Sequence, residues 1–369
     1  MKLICDKIKL SEAVTNVSRV IPSKSSIPSL EGVQLRASNG KLLLTGYDME
    51  AGITTEIDAS IQEEGGIVLS ARLFSDMLRK MAGDEISIST NEKYLTEINC
   101  GHTEFTILGT PSDEFPELPE IEKGAGVHIS QGTLKSMIDQ TLFAVAMTDN
   151  KPVHTGSLFQ IEGDELTVVS VDGYRLALRK SFIKSDEPFS FVVPGKALSE
   201  ISKLLSEDEK KEVSIVVSKR HIVFQIESYS VVSRLLEGEF LDYKNSIPSG
   251  GKTEVRLQTR AFIDSVERVS LLISDRLRSP LRVKFEESEI KIFCSTSIGR
   301  SYDELPCSLT GEGVEMGFNN KYLLDALKAA GSDEVRIEIS GPLSPIKVLP
   351  PQGEEFLFLV LPVRLKNEA

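Results

Sequence analysis

Cysteine and histidine are the residue types readiest to hold a metal or act as nucleophile and base, and here their spacing opposes both roles. Cys5, Cys100, Cys294 and Cys307 form no C-x-x-C pair, and His102, His128, His154 and His221 stand far apart. A zinc site needs its ligands in close pairs and a disulfide scaffold needs denser cysteine, so buried free thiols are expected. Gly250-Gly251-Lys252-Thr253 has the ending of a phosphate-binding loop. That motif also needs a glycine five residues before Gly251, where Ser246 stands, so the segment reads as an interdomain linker. Glu63-Glu64 and Glu207-Asp208-Glu209 fall in predicted turns, where carboxylates are solvated rather than poised for acid–base work. The chain has no G-x-S-x-G, no H-E-x-x-H and no strand-linked G-x-G-x-x-G. No acid, base or metal set converges, and the sequence predicts a protein that is not an enzyme and uses no metal or cofactor.

The elements that carry these residues repeat three times. A short strand, Leu3-Ile4-Cys5, precedes Leu10, Val14, Val17 and Ile21, whose gaps place one apolar stripe on a helix. The unit returns as Val127-His128-Ile129 with Leu134, Ile138, Leu142 and Val145, and again as Val255-Arg256-Leu257 with Phe262, Val266, Val269 and Ile273. A second helix repeats from Ser70-Ala71-Arg72-Leu73-Phe74 to Pro194-Gly195-Lys196-Ala197-Leu198 and Asn319-Asn320-Lys321-Tyr322-Leu323. Serine, proline and asparagine suit a helix entrance. Between the two helices lie alternating strands, with Leu42 to Asp48 matching Leu166 to Asp172 and, more weakly, Ile290 to Cys294. Linkers fall at Pro119 to Gly126 and Pro248 to Lys252. The repeat predicts three α+β domains over 1–119, 126–245 and 253–369, each with two helices laid on antiparallel sheets. Three copies suggest an arc, and an arc meeting a second copy head to tail could close a ring. Three independent beads on a string remain the simpler alternative.

Charge is sorted by element. The chain carries a net charge of -13, a poor footprint for nucleic acid taken as a whole. The six helical stretches, counted over 11–21, 70–82, 130–147, 194–205, 259–273 and 319–330, are nevertheless net positive. They hold Arg19, Arg72, Arg79, Lys80, Lys135, Lys196, Lys203, Arg260, Arg268, Lys321 and Lys328. If these helices lined a central hole, DNA would be favoured inside it and repelled by the acidic exterior. The longest apolar run near the end, Phe356 to Val363, is far shorter than the roughly 20 residues of a membrane helix. Charge also interrupts the first residues, Met1-Lys2-Leu3-Ile4-Cys5-Asp6, so the expectation is a cytoplasmic protein with no membrane partner.

Across its whole length the chain resembles the bacterial sliding clamp family, the beta subunits of DNA polymerase III. The most specific pieces are Val171-Asp172-Gly173-Tyr174-Arg175-Leu176-Ala177 and the ending Val360-Leu361-Pro362-Val363-Arg364-Leu365. Ser26-Ile27-Pro28, Phe115-Pro116 and Gly238-Glu239-Phe240-Leu241-Asp242-Tyr243 support them. The resemblance implies three clamp-type domains per chain and a head-to-tail homodimer closing a six-domain ring around double-stranded DNA. It makes the protein a processivity factor, which binds DNA topologically and without sequence preference. Short linear motifs of the DNA polymerase III catalytic subunit, the clamp loader, other polymerases and repair proteins would dock in a groove.

By the same resemblance the groove comprises Val171, Gly173, Tyr174, Arg175 and Leu176, with Leu241 at its rim, and Leu343, Pro345, Leu361, Pro362, Val363, Arg364 and Leu365. Its apolar residues would receive an anchoring Leu or Phe, and Arg175 would meet the peptide's polar groups. Lys24, Arg72, Arg79, Lys80, Lys135, Lys196, Lys203 and Lys321 would face DNA, and Phe105 and Ile107 would meet Leu272 and Ile273 of a second copy. Leu241, Asn245 and Tyr174 depart from the proline, basic residue and histidine common at these places in the family. Two other readings stay open at this point: a three-domain nucleic-acid-processing enzyme, which would need a converging set of catalytic groups, and a protein-only scaffold that never encloses DNA.

Overall fold

The structure, a computed structural model, describes residues 1–119, 125–148, 151–184, 188–274 and 279–365. Residues 120–124 of the first linker and 366–369 of the third repeat lie outside these. Six α-helices are present among the described residues: α1 (Lys7–Val17), α2 (Ala71–Lys80), α3 (Gln131–Thr141), α4 (Gly195–Leu204), α5 (Thr259–Val269) and α6 (Asn320–Ala330). Each falls where the apolar stripes place it, though the ends differ. Helix α1 starts earlier than the 11–21 stretch because the Asp6 side chain caps it, accepting the Lys9 N–H over 2.8 Å. It then tightens into a 3₁₀ turn, Ser18–Val20, which leaves Ile21 outside the helix. Of the two polar entrance residues, Asn319 caps α6 through Lys321 N–H, whereas Ser70 makes no side-chain cap. Gly331 ends α6 in the left-handed region at φ 65°, a conformation that favours glycine. Glu63 proves to be the last residue of the strand Ala51–Glu63 rather than part of a turn.

The chain forms two compact units, one of residues 1–132 and 196–235, the other of 133–195 and 236–369. The middle repeat contributes strands to both. In the first unit, Tyr229–Arg234 pairs antiparallel with Ala51–Glu63, from Tyr229 opposite Thr55 to Ser233 opposite Ala51. A strand of the second repeat thereby continues the sheet of the first. In the second unit, Arg175–Phe182 pairs antiparallel with Phe356–Val360, with Arg175 opposite Val360, so the second and third repeats also share a sheet. Continuous hydrogen bonding across the repeat boundary leaves no unpaired edge there.

Alternation decides which strand faces enter the core. In the second unit Phe262 and Val266 of α5 and Leu323 and Leu327 of α6 are fully buried, in one cluster with Ile337, Phe356 and Phe358. The Phe356 and Phe358 rings stack at 4.8 Å and Phe143 meets Phe358 edge-on at 5.3 Å. Burying each such ring contributes about 1.5–3 kcal/mol. Two strands keep an open edge. Thr103–Leu108 pairs only with Leu95–Cys100, and Gly299–Pro306 only with Glu289–Thr296, among the described residues.

Candidate functional site

The turn after the strand Glu165–Val171 is held by one carboxylate. Asp172 Oδ1 accepts the N–H groups of Tyr174 at 3.0 Å and Arg175 at 3.1 Å. Gly173 sits between them at φ 85°, where a Cβ would strain the backbone. The turn lifts Tyr174 into solvent, 61% exposed. The end of the chain lies alongside. Leu361 N–H donates to the Tyr174 carbonyl at 3.0 Å and Val363 N–H to the Gly317 carbonyl at 2.8 Å. Gly317 is required by this approach, since a Cβ there would stand 2.6 Å from Leu365 Cδ2 and 2.8 Å from the Val363 carbonyl oxygen.

Between these segments runs a groove of about 880 Å³. Of the residues expected to form it, Gly173, Tyr174, Leu361, Pro362 and Val363 line it. Val171 and Leu176 are buried behind the wall, in a cluster joined by Leu357 and Leu359. Leu241, Leu343 and Pro345 are not among its lining residues; Leu343 is fully open to solvent on the turn before Ile346–Leu349, and Leu241 is also exposed. Arg364 is exposed and Leu365 half-buried. Ile273, expected at a subunit seam, and Lys321, expected toward DNA, both border this groove instead.

Arg175 does not present its charge to the groove. Its Nε lies 2.9 Å from Asp172 Oδ2, its Nη1 pairs with Asp325, and its side chain is 12% exposed. The guanidinium stands 4.6 Å from the centroid of the Tyr322 ring and 5.5 Å from that of Phe143. The expected role of meeting peptide polar groups is therefore corrected, because both carboxylate partners lie inside the protein. Tyr322 itself went unnoticed in the sequence, yet its ring stacks on Tyr174 with centroids 5.8 Å apart and lines the groove beside Asn319. Burial, then the nearby Asp172, raises its phenol above the ordinary range. Alignment of the three repeats holds the clue, since Tyr322 takes the place of Leu73 and Ala197.

The first repeat makes the same turn without a groove. Asp48 Oδ1 accepts the N–H groups of Glu50 at 3.0 Å and Ala51 at 2.7 Å, and Met49 stands where Gly173 does, at φ 75°. Here Lys196 binds the other carboxylate oxygen, and Leu118 packs over Gly52 beside the buried Tyr47 and Phe115.

The basic residues of the helices divide into two groups. Arg79 pairs with Asp76, Lys203 with Glu200 at 2.8 Å, Lys135 with Asp139 at 3.9 Å and Lys196 with Asp48. Arg260, Arg268 and Lys328 also have carboxylate partners. Lys24, Arg72 and Lys80 are exposed and form no ion pair among the described residues. The helices are thus less strongly positive than their residue count suggests.

On the open edge Thr103–Leu108, Phe105 and Ile107 are half-buried while Glu104, Thr106 and Leu108 face solvent. Leu272 is half-buried at the end of the 3₁₀ turn Ser270–Leu272, beside Gly299 of the other open edge. Leu271 and Ile298, 83% and 70% exposed, add apolar surface there that the sequence reading did not single out. Among the described residues no group of three metal-ligating side chains converges, and no helix is long and apolar enough to cross a membrane.

Comparison with known proteins gives one answer along the whole chain. Residues 1–119, 128–242 and 244–364 match, in order, the N-terminal, central and C-terminal domains of the DNA polymerase III beta subunit. The beta sliding clamp of Bacillus subtilis is 33% identical over 377 residues, covering 99% of this chain and 100% of the relative. The crystal structure of the Bacillus subtilis DNA polymerase sliding clamp superposes with a TM-score of 0.95, at 33% identity and 99% and 100% coverage. That of the Pseudomonas aeruginosa DNA polymerase III subunit beta does so with a TM-score of 0.93, at 28% identity and the same coverage. Three consecutive domain matches, full-length identity and the shared fold place this chain in the DNA polymerase III beta-subunit family, the beta sliding clamps.

Proposed function

We propose that this chain is a processivity factor of the cytoplasm, a homodimeric ring that encircles double-stranded DNA and tethers DNA polymerase III to it. Full-length membership of the sliding-clamp family is the observation that carries the reading. The domains run over 1–119, 126–245 and 253–369, so two chains supply six. The open edge bearing Phe105 and Ile107 would pair with the edge beside Leu272 of a second copy, which removes two aggregation-prone edges at once. Arg72, Lys80 and Lys24 supply the unpaired charge for weak phosphate contacts that carry no sequence information. The catalytic subunit, the clamp loader, other polymerases and repair proteins would dock short motifs in the groove beside Tyr174. Tethering makes polymerase rebinding intramolecular and raises its effective concentration.

Light scattering over a dilution series is the first test, with a species near twice 40.6 kDa expected. After loading by a clamp loader, the protein should stay on nicked circular DNA and slide off once that DNA is linearised. Equal loss from circular and linear DNA would favour a protein-only scaffold.

A further inference from the structure

We propose that Arg175 is a positioning residue that holds Tyr322 and Tyr174 together as one preformed wall of the groove, without itself touching the docked peptide. The inference rests on the groove assignment above and goes beyond it in naming what shapes the wall. Four contacts converge on this guanidinium. Asp172 receives its Nε, and the same carboxylate fixes the Tyr174 turn through two backbone N–H groups. Asp325 of α6 receives its Nη1. The faces of the guanidinium meet Phe143 and Tyr322. Tyr322, one helical turn before Asp325 on α6, is thus fixed from behind by Arg175 and stacked in front on Tyr174.

Only a planar cation with several donors can satisfy two carboxylates and stack on rings simultaneously; lysine cannot. The guanidinium is nearly buried, so a peptide in the groove meets the tyrosines first. A wall ordered before binding spares the peptide the cost of ordering it, and that saving appears as affinity.

The test is a double-mutant cycle on the full chain, read by fluorescence anisotropy with a fluorescein-labelled peptide ending in Leu-Phe. Arg175→Lys should weaken binding about tenfold in the parent and less than about twofold in a Tyr322→Ala background, since a residue acting through another loses its effect when that one is gone. Asp325→Asn should reproduce the parental loss while leaving the dimer mass unchanged. A tenfold loss in both backgrounds would mean direct contact with the peptide and would overturn the proposal, as would no loss in either. A parent protein that fails to bind the peptide would refute the groove assignment instead. The clamp is then still read without ligand, from the NMR ring signals of Tyr174 and Tyr322. Arg175→Lys and Asp325→Asn should each move both sets, and unmoved signals would overturn the inference.

Discussion

The backbone N–H of Leu361 donates to the carbonyl of Tyr174 across 3.0 Å, joining the last strand of the chain to the turn that Asp172 caps. Every other element of the groove wall is arranged around this bond. Phe356–Val360 completes a sheet shared by two repeats, and the residues after it leave the sheet to form the groove's apolar side.

Removing Leu361 to Leu365 should therefore abolish peptide binding while the dimer mass stays unchanged. Gly317→Ala is a gentler version, because its Cβ would push against Leu365 and the Val363 carbonyl. It should destabilise the protein by about 1–3 kcal/mol, as overpacking does, and weaken the peptide in the same anisotropy assay. Wild-type affinity in the truncated protein would remove the C-terminal segment from the site.

Arg72→Ala and Lys80→Ala should reduce DNA affinity and lower the salt slope by about one each, the expectation for a lost phosphate contact. Arg79→Ala and Lys203→Ala should change less, since their charges are already matched by Asp76 and Glu200. Titration of duplex DNA at several salt concentrations separates the two pairs. Equal slopes for all four variants would mean that the local ion pairs do not govern which side chains meet DNA.

Met49 holds a left-handed backbone that costs a non-glycine residue about 1–2 kcal/mol. Gly173 occupies the equivalent turn without that strain. Met49→Gly should leave stability unchanged or raise it by about 1 kcal/mol, the relief of strain slightly exceeding glycine's added unfolded-state entropy. Urea denaturation measures this directly, and a loss of 2 kcal/mol or more would show that the exposed Met49 side chain contributes packing.

Burial, with a smaller push from Asp6, raises the Cys5 thiol from 9.0 to about 12. The folded protein keeps this proton where the unfolded chain releases it. The unfolded state then binds fewer protons above about pH 9, so stability should fall as pH rises from there toward 12 and show no contribution from Cys5 below. Thermal melts at pH 8 and pH 10 should show a smaller drop for Cys5→Ala than for the parent. At pH 8 the native thiol should also resist maleimide, because the reactive thiolate is absent.

The sequence by itself determined the threefold repeat and its elements. Leu10, Val14 and Val17 mark a helix face because a helix returns every 3.6 residues, and Val335, Ile337 and Ile339 mark a strand face because a strand alternates. Both periods are local, as is the lack of any catalytic spacing among the cysteines and histidines. Where an end depended on a side chain just outside the stripe, as with Asp6 at α1, the pattern missed it by a few residues. The tertiary structure alone decided what each charge and ring meets. Asp325 stands 150 residues from Arg175, and no local period connects them. Lys196 is exposed by its helix position, yet Asp48 of another repeat claims it. Tyr322 becomes part of the groove only because Phe356–Val360 pairs with Arg175–Phe182, bringing α6 to the Asp172 turn. Ion pairs and ring contacts act over a few ångströms in space, and which residues come that close is fixed by long-range strand pairing.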